Sequence, residues 1–139
     1  MISRLCHICQ GSYENKGKKI VCSNCGYIYL PANETDFMIN VYDVKEKIDK
    51  NKDFILLDVR EPFELSISKI NNAILIPLSK IPKNLDKLDR TKDIIAFCRS
   101  GERSHHAARF LIQKGFNAKN MDGGINMWAT LVDNNLLTY

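Results

Sequence analysis

Five cysteines carry the most reactive chemistry that this sequence offers, and they divide into a group of four and a single residue. The single one, Cys98, lies in the run IIAFCRSGERSHHAARFL, whose pattern predicts a buried strand, a tight polar loop and a helix. A cysteine in that loop faces backbone N–H groups and the N-terminus of a helix, and both favour a thiolate over a thiol. The sequence therefore predicts that Cys98 is a nucleophile.

The loop after Cys98 supplies groups that bind a small anion. Arg99 and Arg103 can bind an anionic substrate and help to hold it beside the sulfur. Gly101 lets the backbone bend so that its amides point inward, and Ser104 can cap the helix that begins there. We expect the residues that follow the nucleophile to bind the substrate: Arg99, Ser100, Gly101, Glu102 and Arg103.

The group of four forms two Cys-x-x-Cys pairs near the N-terminus: Cys6, Cys9, Cys22 and Cys25. Each spacing lets one tight turn direct two sulfurs at the same ion, and two such turns complete a tetrahedral site. A segment of about thirty residues has too small a core to fold alone, so a metal would supply the missing free energy. The pattern resembles a zinc ribbon and, more loosely, a rubredoxin-like knuckle pair. Zn²⁺ and Fe both suit four thiolates, the site should be structural, and a redox dithiol is the alternative.

The elements that must position these residues alternate between strands and helices from about Met38 onwards. Apolar runs predict strands at FMINV, FILLDV, AILIPL and DIIAF, with a shorter strand over 117–121. Helices are predicted over 43–50, 104–114 and 125–134, with Gly115 as a C-terminal cap and a weaker helix over 79–88 that Pro82 interrupts. Near-continuous apolar strands separated by helices predict an α/β fold, a parallel sheet flanked by helices.

The chain is long enough for one ordinary domain and a small appendage, since it has 139 residues, of which 45% are hydrophobic. We expect a four-cysteine zinc-ribbon module over 1–30, a linker over 31–37 that contains the polar run PANETD, and the α/β domain over 38–139. No apolar stretch is long enough for a membrane span and no secretory signal is evident, so we expect a cytoplasmic protein without membrane contact. An odd number of cysteines excludes complete disulfide pairing.

Four segments resemble a rhodanese domain in their order and spacing. They are LLDVREPFEL (56–65), AILIPL (73–78), CRSGERS (98–104) and MDGGINMWA (121–129), and the resemblance covers about residues 38–135. It implies a sulfurtransferase whose catalytic cysteine takes a sulfane sulfur as a persulfide and passes it on. It also implies that Asp58 and Arg60 are structural braces.

The length of the loop separates this resemblance from related phosphatases and arsenate reductases. From Cys98 to Arg103 the loop is Cys-x-x-x-x-Arg, whereas those enzymes have one residue more and so make room for a tetrahedral oxyanion. Phe97 also stands where a histidine would precede the cysteine of a phosphatase. The shorter loop favours sulfur transfer.

The charge of the chain indicates what the N-terminal module could contact. The net charge is +4, and residues 1–30 contribute +3 of it. This segment has one acidic residue, Glu14, and four basic residues: Arg4, Lys16, Lys18 and Lys19. A basic patch can attract tRNA, although such lysines are more often only solvated. The tyrosines of this module either contact RNA or pack the ribbon on the larger domain: Tyr13, Tyr27 and Tyr29.

Two functions compete on this evidence. In the first, the protein is an enzyme that moves a sulfane sulfur from thiosulfate or a persulfide donor to a thiol or cyanide acceptor through a persulfide on Cys98. In the second, it is a sulfur-relay or docking module whose zinc ribbon binds a protein partner or a tRNA in tRNA modification or cofactor biosynthesis. A third function, nucleic-acid binding without catalysis, leaves the Cys98 loop unexplained.

Overall fold

A computed structural model describes residues 5–17, 19–29 and 37–139 of the chain. The polar run 31–36 of the predicted linker lies outside these ranges, and so do Arg4 and Lys18 of the predicted basic patch.

The N-terminal module is a small antiparallel sheet that carries the two cysteine knuckles on its turns. Its strands are β1 (Tyr13–Lys16), β2 (Lys19–Cys22) and β3 (Ile28–Tyr29), in the order β1-β2-β3. The second knuckle is the turn between β2 and β3, and Gly26 closes it with a φ of +80°, a conformation that glycine adopts without strain. The ribbon-like sheet expected from the resemblance is therefore present.

The larger part of the chain folds around a five-stranded sheet with the order β4-β8-β7-β5-β6. All neighbouring strands pair in parallel, which confirms the predicted fold class. The strands are β4 (Met38–Ile39), β5 (Phe54–Asp58), β6 (Ile74–Leu75), β7 (Asp93–Phe97) and β8 (Ala118–Met121). Because β7 is the central strand, the loop that follows it opens at the middle of the carboxyl edge of the sheet.

Three α-helices in the described residues cover the two faces of this sheet: α1 (Val41–Asp49), α2 (Glu102–Gln113) and α3 (Gly124–Leu131). Buried residues of α1 and α3 share one apolar cluster with the sheet, and those of α2 share the other with the sheet and the N-terminal module. None of the helices in these ranges combines the length and the apolar character needed to cross a bilayer.

Strand β7 determines which face of the sheet receives the Cys98 sulfur. Ile94, Ala96 and Cys98 lie in the apolar cluster of α2, whereas Ile95 and Phe97 lie in the cluster of α1 and α3. This alternation follows from the two-residue period of side chains along a strand. Cys98 therefore points toward α2, the helix that follows it.

The ends of the helices show where local sequence signals were sufficient. The Asn40 side chain caps α1 by accepting a hydrogen bond from the Asp43 amide at 2.9 Å. Gly115 ends α2 with a φ of +91°, which confirms the predicted cap. The expected cap by Ser104 was wrong, because α2 begins at Glu102 and Gly101 occupies the capping position.

The weak helix expected over 79–88 was also wrong as an α-helix. Two 3₁₀ turns occupy this region, Leu78–Lys83 and Leu85–Lys87. Pro82 lies inside the first turn. A proline has no backbone N–H to donate and its ring clashes with the preceding turn, so a regular α-helix does not continue through it. The connection between β5 and β6 contains one 3₁₀ turn, Pro62–Ser66.

The N-terminal module packs directly on α2. Tyr27 is fully buried, and its hydroxyl lies 2.9 Å from Nδ1 of His106. Burial lowers the pKa of His106 to about 3, so this histidine is neutral. Its ring nitrogen can therefore accept a hydrogen bond from the Tyr27 hydroxyl. Gln113 makes two hydrogen bonds to the main chain of Ile28, of 2.9 and 2.8 Å. Tyr27 thus packs the module against the larger domain.

Candidate active site and metal site

Cys98 is almost completely buried at the carboxyl end of β7, where two polar groups contact its sulfur. The Gly101 amide donates a hydrogen bond to Sγ at 3.2 Å, and the Ser104 hydroxyl lies 3.4 Å from Sγ. Gly101 has a φ of +107°, in the left-handed region that glycine enters freely, and this turn brings its amide back over the sulfur. The loop thus directs one N–H donor at the Cys98 sulfur.

The outer side of the loop is held by the first turn of α3. The amides of Ile125 and Asn126 donate to the carbonyl oxygens of Cys98 and Arg99, at 2.8 and 3.1 Å. Gly124 has a φ of +62°, and a Cβ at this position would lie 2.6 Å from the Cys98 carbonyl oxygen and still closer to that of Arg99. The second glycine of the MDGGINMWA segment is therefore explained by the close approach of two backbones.

A buried asparagine that the sequence analysis did not single out connects the loop to β8. The Asn120 side chain donates to the Gly101 carbonyl oxygen at 3.0 Å, which orients its own carbonyl oxygen toward Ser104. Ser104 donates to that oxygen at 2.5 Å. Asn120 thus holds both residues that contact the Cys98 sulfur. A polar residue at an inward position of a short strand is the only sequence signal for it.

Arg103 makes a two-pronged ion pair with Glu64. Its two terminal nitrogens donate to the two Glu64 carboxylate oxygens at 2.8 and 2.9 Å. These hydrogen bonds lower the pKa of Glu64 to about 2, with the Glu61 amide and a tyrosine hydroxyl as smaller contributions. The pKa of Arg103 is raised by the same pair and, to a smaller extent, by its attraction to the Cys98 sulfur. Arg103 is thus fixed by Glu64 and charged.

Asp58 and Arg60 form a fully buried ion pair beneath this loop. Arg60 donates from Nη2 to Asp58 at 2.8 Å and to the Ser68 carbonyl oxygen at 2.9 Å, and from Nη1 to the hydroxyl of Tyr139 at 3.0 Å. A buried guanidinium is tolerated only when its donors have such partners. The pair connects the end of β5 to the connection that follows it.

The remaining loop residues face solvent. Arg99, Ser100 and Glu102 are exposed. The Arg99 guanidinium lies over the ring of Tyr139, 4.9 Å from its centroid. Arg99 is therefore the loop arginine that a ligand in solution reaches first. No signal in the sequence indicated that Tyr139, 40 residues later, would contact it.

A cleft lies between the N-terminal module and the Cys98 loop. It has a volume of about 220 Å³, and its walls include His7, Ile8 and Gln10 from the first knuckle and Val59 and Arg103 from the larger domain. The module therefore forms one side of a recess that ends at a residue of the Cys98 loop. The sequence alone did not indicate whether the two parts meet.

The four N-terminal cysteines converge, with all four sulfurs within 4.8 Å of one another. Cys6 and Cys25 have their sulfurs 3.7 Å apart, and Cys9 and Cys22 have theirs 3.6 Å apart. Four thiolates about 2.3 Å from one ion in a tetrahedron have sulfurs about 3.8 Å apart, so this arrangement fits a metal ion.

Backbone amides point at these sulfurs, as a cluster of thiolates requires. The Ile8 and Gly11 amides donate to Cys6 and Cys9, at 3.3 and 3.4 Å. His7 lies outside the cluster: its ring contacts the Tyr13 hydroxyl at 2.6 Å and stacks on His106. The four cysteines can hold a metal ion without it.

Residues 40–131 match the family model of the rhodanese-like domain. The chain belongs to the rhodanese-like family. The matched range includes all five residues of the central strand β7 and the whole Cys98 loop.

Relatives of this rhodanese-like chain share the fold and, by name, the class of reaction. A protein of Allochromatium vinosum named "Sulfurtransferase" is 32% identical over 96 residues, which cover 66% of this chain and 90% of that protein. The crystal structure of a rhodanese-related protein from Thermoplasma volcanium is 40% identical, with a TM-score of 0.62, and the match covers 67% of this chain and 90% of that one.

A third relative matches almost the whole chain. The "Adenylyltransferase and sulfurtransferase UBA4" of Meyerozyma guilliermondii is 30% identical over 142 residues, which cover 96% of this chain and 32% of that protein. Taken together, the relatives support sulfur transfer or relay as the general role of this rhodanese-like chain.

Gly124→Ala tests the close packing of α3 on the loop. The left-handed φ alone should cost about 1–2 kcal/mol, and the clash with the Cys98–Arg99 peptide should cost about 1–3 kcal/mol more. Gly17→Ala is the matched control, because Gly17 has a φ of +66° and, apart from Gly17 and its chain neighbours, no atom of the described residues lies within 4 Å of an added Cβ. Urea unfolding followed by circular dichroism measures the free energy of unfolding of both variants and of the natural chain. An equal decrease in the free energy of unfolding in the two variants would contradict the packing described here.

Proposed function

We propose that the protein is a sulfurtransferase that carries a sulfane sulfur as a persulfide on Cys98. The observation that carries the proposal is the hydrogen bond from the Gly101 amide to the Cys98 sulfur. The short loop that makes this hydrogen bond also contains two arginines, Arg99 and Arg103. The family relatives named as sulfurtransferases support it. In this role Cys98 is the nucleophile, and the loop residues 99–103 bind the donor.

The reaction divides into two displacements at sulfur. The Cys98 thiolate attacks the outer sulfur of thiosulfate, the bond between the two sulfurs of thiosulfate breaks, and sulfite leaves with the electron pair. A cyanide or thiolate acceptor then attacks the outer sulfur of the Cys98 persulfide, and the Cys98 thiolate leaves. A persulfide donor can replace thiosulfate in the first displacement, with its own thiolate as the leaving group.

The two arginines have different parts in this proposal. Arg103 is held by Glu64 and contributes a fixed positive charge beside the sulfur. Arg99 is exposed and able to contact an anionic donor directly. The loop from Cys98 to Arg103 is one residue shorter than that of the related phosphatases, which favours a persulfide over a phosphate ester as the bound group.

We propose that the four N-terminal cysteines bind one structural Zn²⁺. The distances between their sulfurs fit a tetrahedral ion, and four thiolates with no ligand from solvent suit zinc. When bound, the ion would cross-link the two knuckles and so keep the module folded against α2. The module would then form a stable wall of the cleft that ends at Arg103.

A second candidate role is that of a sulfur relay between proteins. The match to UBA4 over 96% of this chain favours it, because the name of that protein joins sulfur transfer to adenylyl transfer. In a relay, the cleft between the N-terminal module and Arg103 would receive the partner that gives or takes the sulfur. The partner would be a protein persulfide or thiol, or a tRNA that contacts the basic module.

Intact-mass spectrometry after incubation with thiosulfate tests the persulfide. We expect a gain of about 32 Da, one sulfur atom, that is lost on addition of cyanide and is absent in Cys98→Ser. A gain of equal size in Cys98→Ser would contradict the role of Cys98. No gain from thiosulfate, but a gain from a persulfide of glutathione, would favour the relay. No gain from either donor would contradict both roles.

Metal analysis of the purified protein tests the zinc site. We expect about one zinc per chain, loss of the metal in the double variant Cys22→Ser/Cys25→Ser, and a lower melting temperature in that variant because metal binding supplies folding free energy. Cys98→Ser is the matched control and should keep its zinc. Iron in place of zinc, or a metal-free protein with an unchanged melting temperature, would contradict the proposal.

A further inference from the structure

We propose that Tyr139 is a positioning residue of the Cys98 site. Tyr139 holds the Arg99 side chain over the loop, and the positive charge of Arg99 then attracts an anionic sulfur donor. The proposal rests on the proposed function for the identity of the donor. The contacts of Tyr139 stand independently of it.

The main chain of Tyr139 is fixed to α3 by one asparagine. The Asn126 side chain donates to the main-chain oxygen of Tyr139 at 2.8 Å and accepts from its amide at 3.1 Å. The amide of the same Asn126 donates to the carbonyl oxygen of Arg99. One residue of α3 therefore sets the positions of both Arg99 and Tyr139.

The Tyr139 hydroxyl is held from the other side by the ion pairs beneath the loop. It donates to Glu64 at 2.7 Å and accepts from Arg60 at 3.0 Å. Both partners are buried and are themselves bound to other residues, so the hydroxyl has little freedom to move. The ring is thereby fixed at both ends.

The fixed ring serves as a platform for the Arg99 guanidinium, whose central carbon lies 4.9 Å from the ring centroid. A guanidinium is attracted to the face of an aromatic ring without being neutralised by it. Among residues 5–17, 19–29 and 37–139, no carboxylate lies within ion-pairing distance of Arg99.

This contact gives the two loop arginines different electrostatic environments. Glu64 compensates the charge of Arg103. No carboxylate of the described residues pairs with the positive charge of Arg99, and the Tyr139 ring restricts the position of its side chain. Both properties suit a residue that must bind an anion from solution. Removal of the ring would let Arg99 extend into solvent, so anionic reagents would lose an attraction that neutral reagents never had.

The test compares two alkylating reagents of similar size, of which only one carries a charge. Iodoacetate is an anion and iodoacetamide is neutral, and peptide mapping by mass spectrometry measures the rate at which each modifies Cys98. We expect Tyr139→Leu to lower the ratio of the iodoacetate rate to the iodoacetamide rate several-fold. Tyr139→Phe keeps the ring and should keep most of the ratio. Tyr42→Leu, which removes an exposed tyrosine from α1, is the matched control and should change neither rate.

A double-variant comparison shows whether Tyr139 acts through Arg99. Arg99→Gln should lower the ratio by itself, and Tyr139→Leu should lower it no further in that background. A ratio that Tyr139→Leu leaves unchanged, or that it lowers equally with and without Arg99, would overturn the proposal. Should Tyr139→Leu fail to fold, as judged by circular dichroism, Tyr139→Met fills the same space without an aromatic face and provides the same test.

Alkylation requires no sulfur transfer, so the outcome for Tyr139 is separate from the outcome for the proposed function. If thiosulfate fails to load Cys98 in the natural chain, the rate ratio still decides the role of Tyr139. If thiosulfate does load it, we expect Tyr139→Leu to raise KM for thiosulfate several-fold with little change in kcat. A fall in kcat alone, with KM unchanged, would contradict a positioning role in donor binding.

Discussion

The buried carboxylate of Glu64 is the interaction on which the arrangement around Cys98 depends. It receives Arg103 from α2, the hydroxyl of Tyr139 and the amide of Glu61, and these three groups satisfy its two oxygens. A charge with so little exposure is stable only when all of its hydrogen bonds are made. Segments far apart in the sequence therefore meet at one group, beside the loop that holds Cys98.

The Cys98 loop is oriented by contacts on both of its sides. On the outer side, amides at the start of α3 bind the carbonyl oxygens of Cys98 and Arg99. On the inner side, the Gly101 amide faces the sulfur, and Asn120 binds the Gly101 carbonyl oxygen. Because the carbonyl groups already have partners away from the sulfur, the loop presents an N–H group to it. The N-terminal module adds a wall to the same region, since it packs on α2 through a buried Tyr27.

The sequence predicted the parts of the site that are local. The position of Cys98 between a strand and a helix, the tight turn within each Cys-x-x-Cys pair and the Gly115 cap all depend on neighbours within a few residues. The missed features depend on distant ones. Asn120 and Tyr139 meet Ser104 and Glu64 across 16 and 75 residues, a distance over which single-sequence patterns carry no register. The 3₁₀ turns around Pro82 were missed because the proline was expected only to interrupt a weak α-helix over 79–88.

A crystal structure of the protein after exposure to thiosulfate tests the central claim most directly, because it locates the transferred sulfur atom. The account predicts one additional atom bonded to the Cys98 sulfur, about 2.05 Å away, in contact with the Gly101 amide and on the side of Arg99. An unmodified Cys98 accompanied by an additional sulfur on one of the four N-terminal cysteines would contradict it, because the reactive thiolate would then lie in the module and not in the loop.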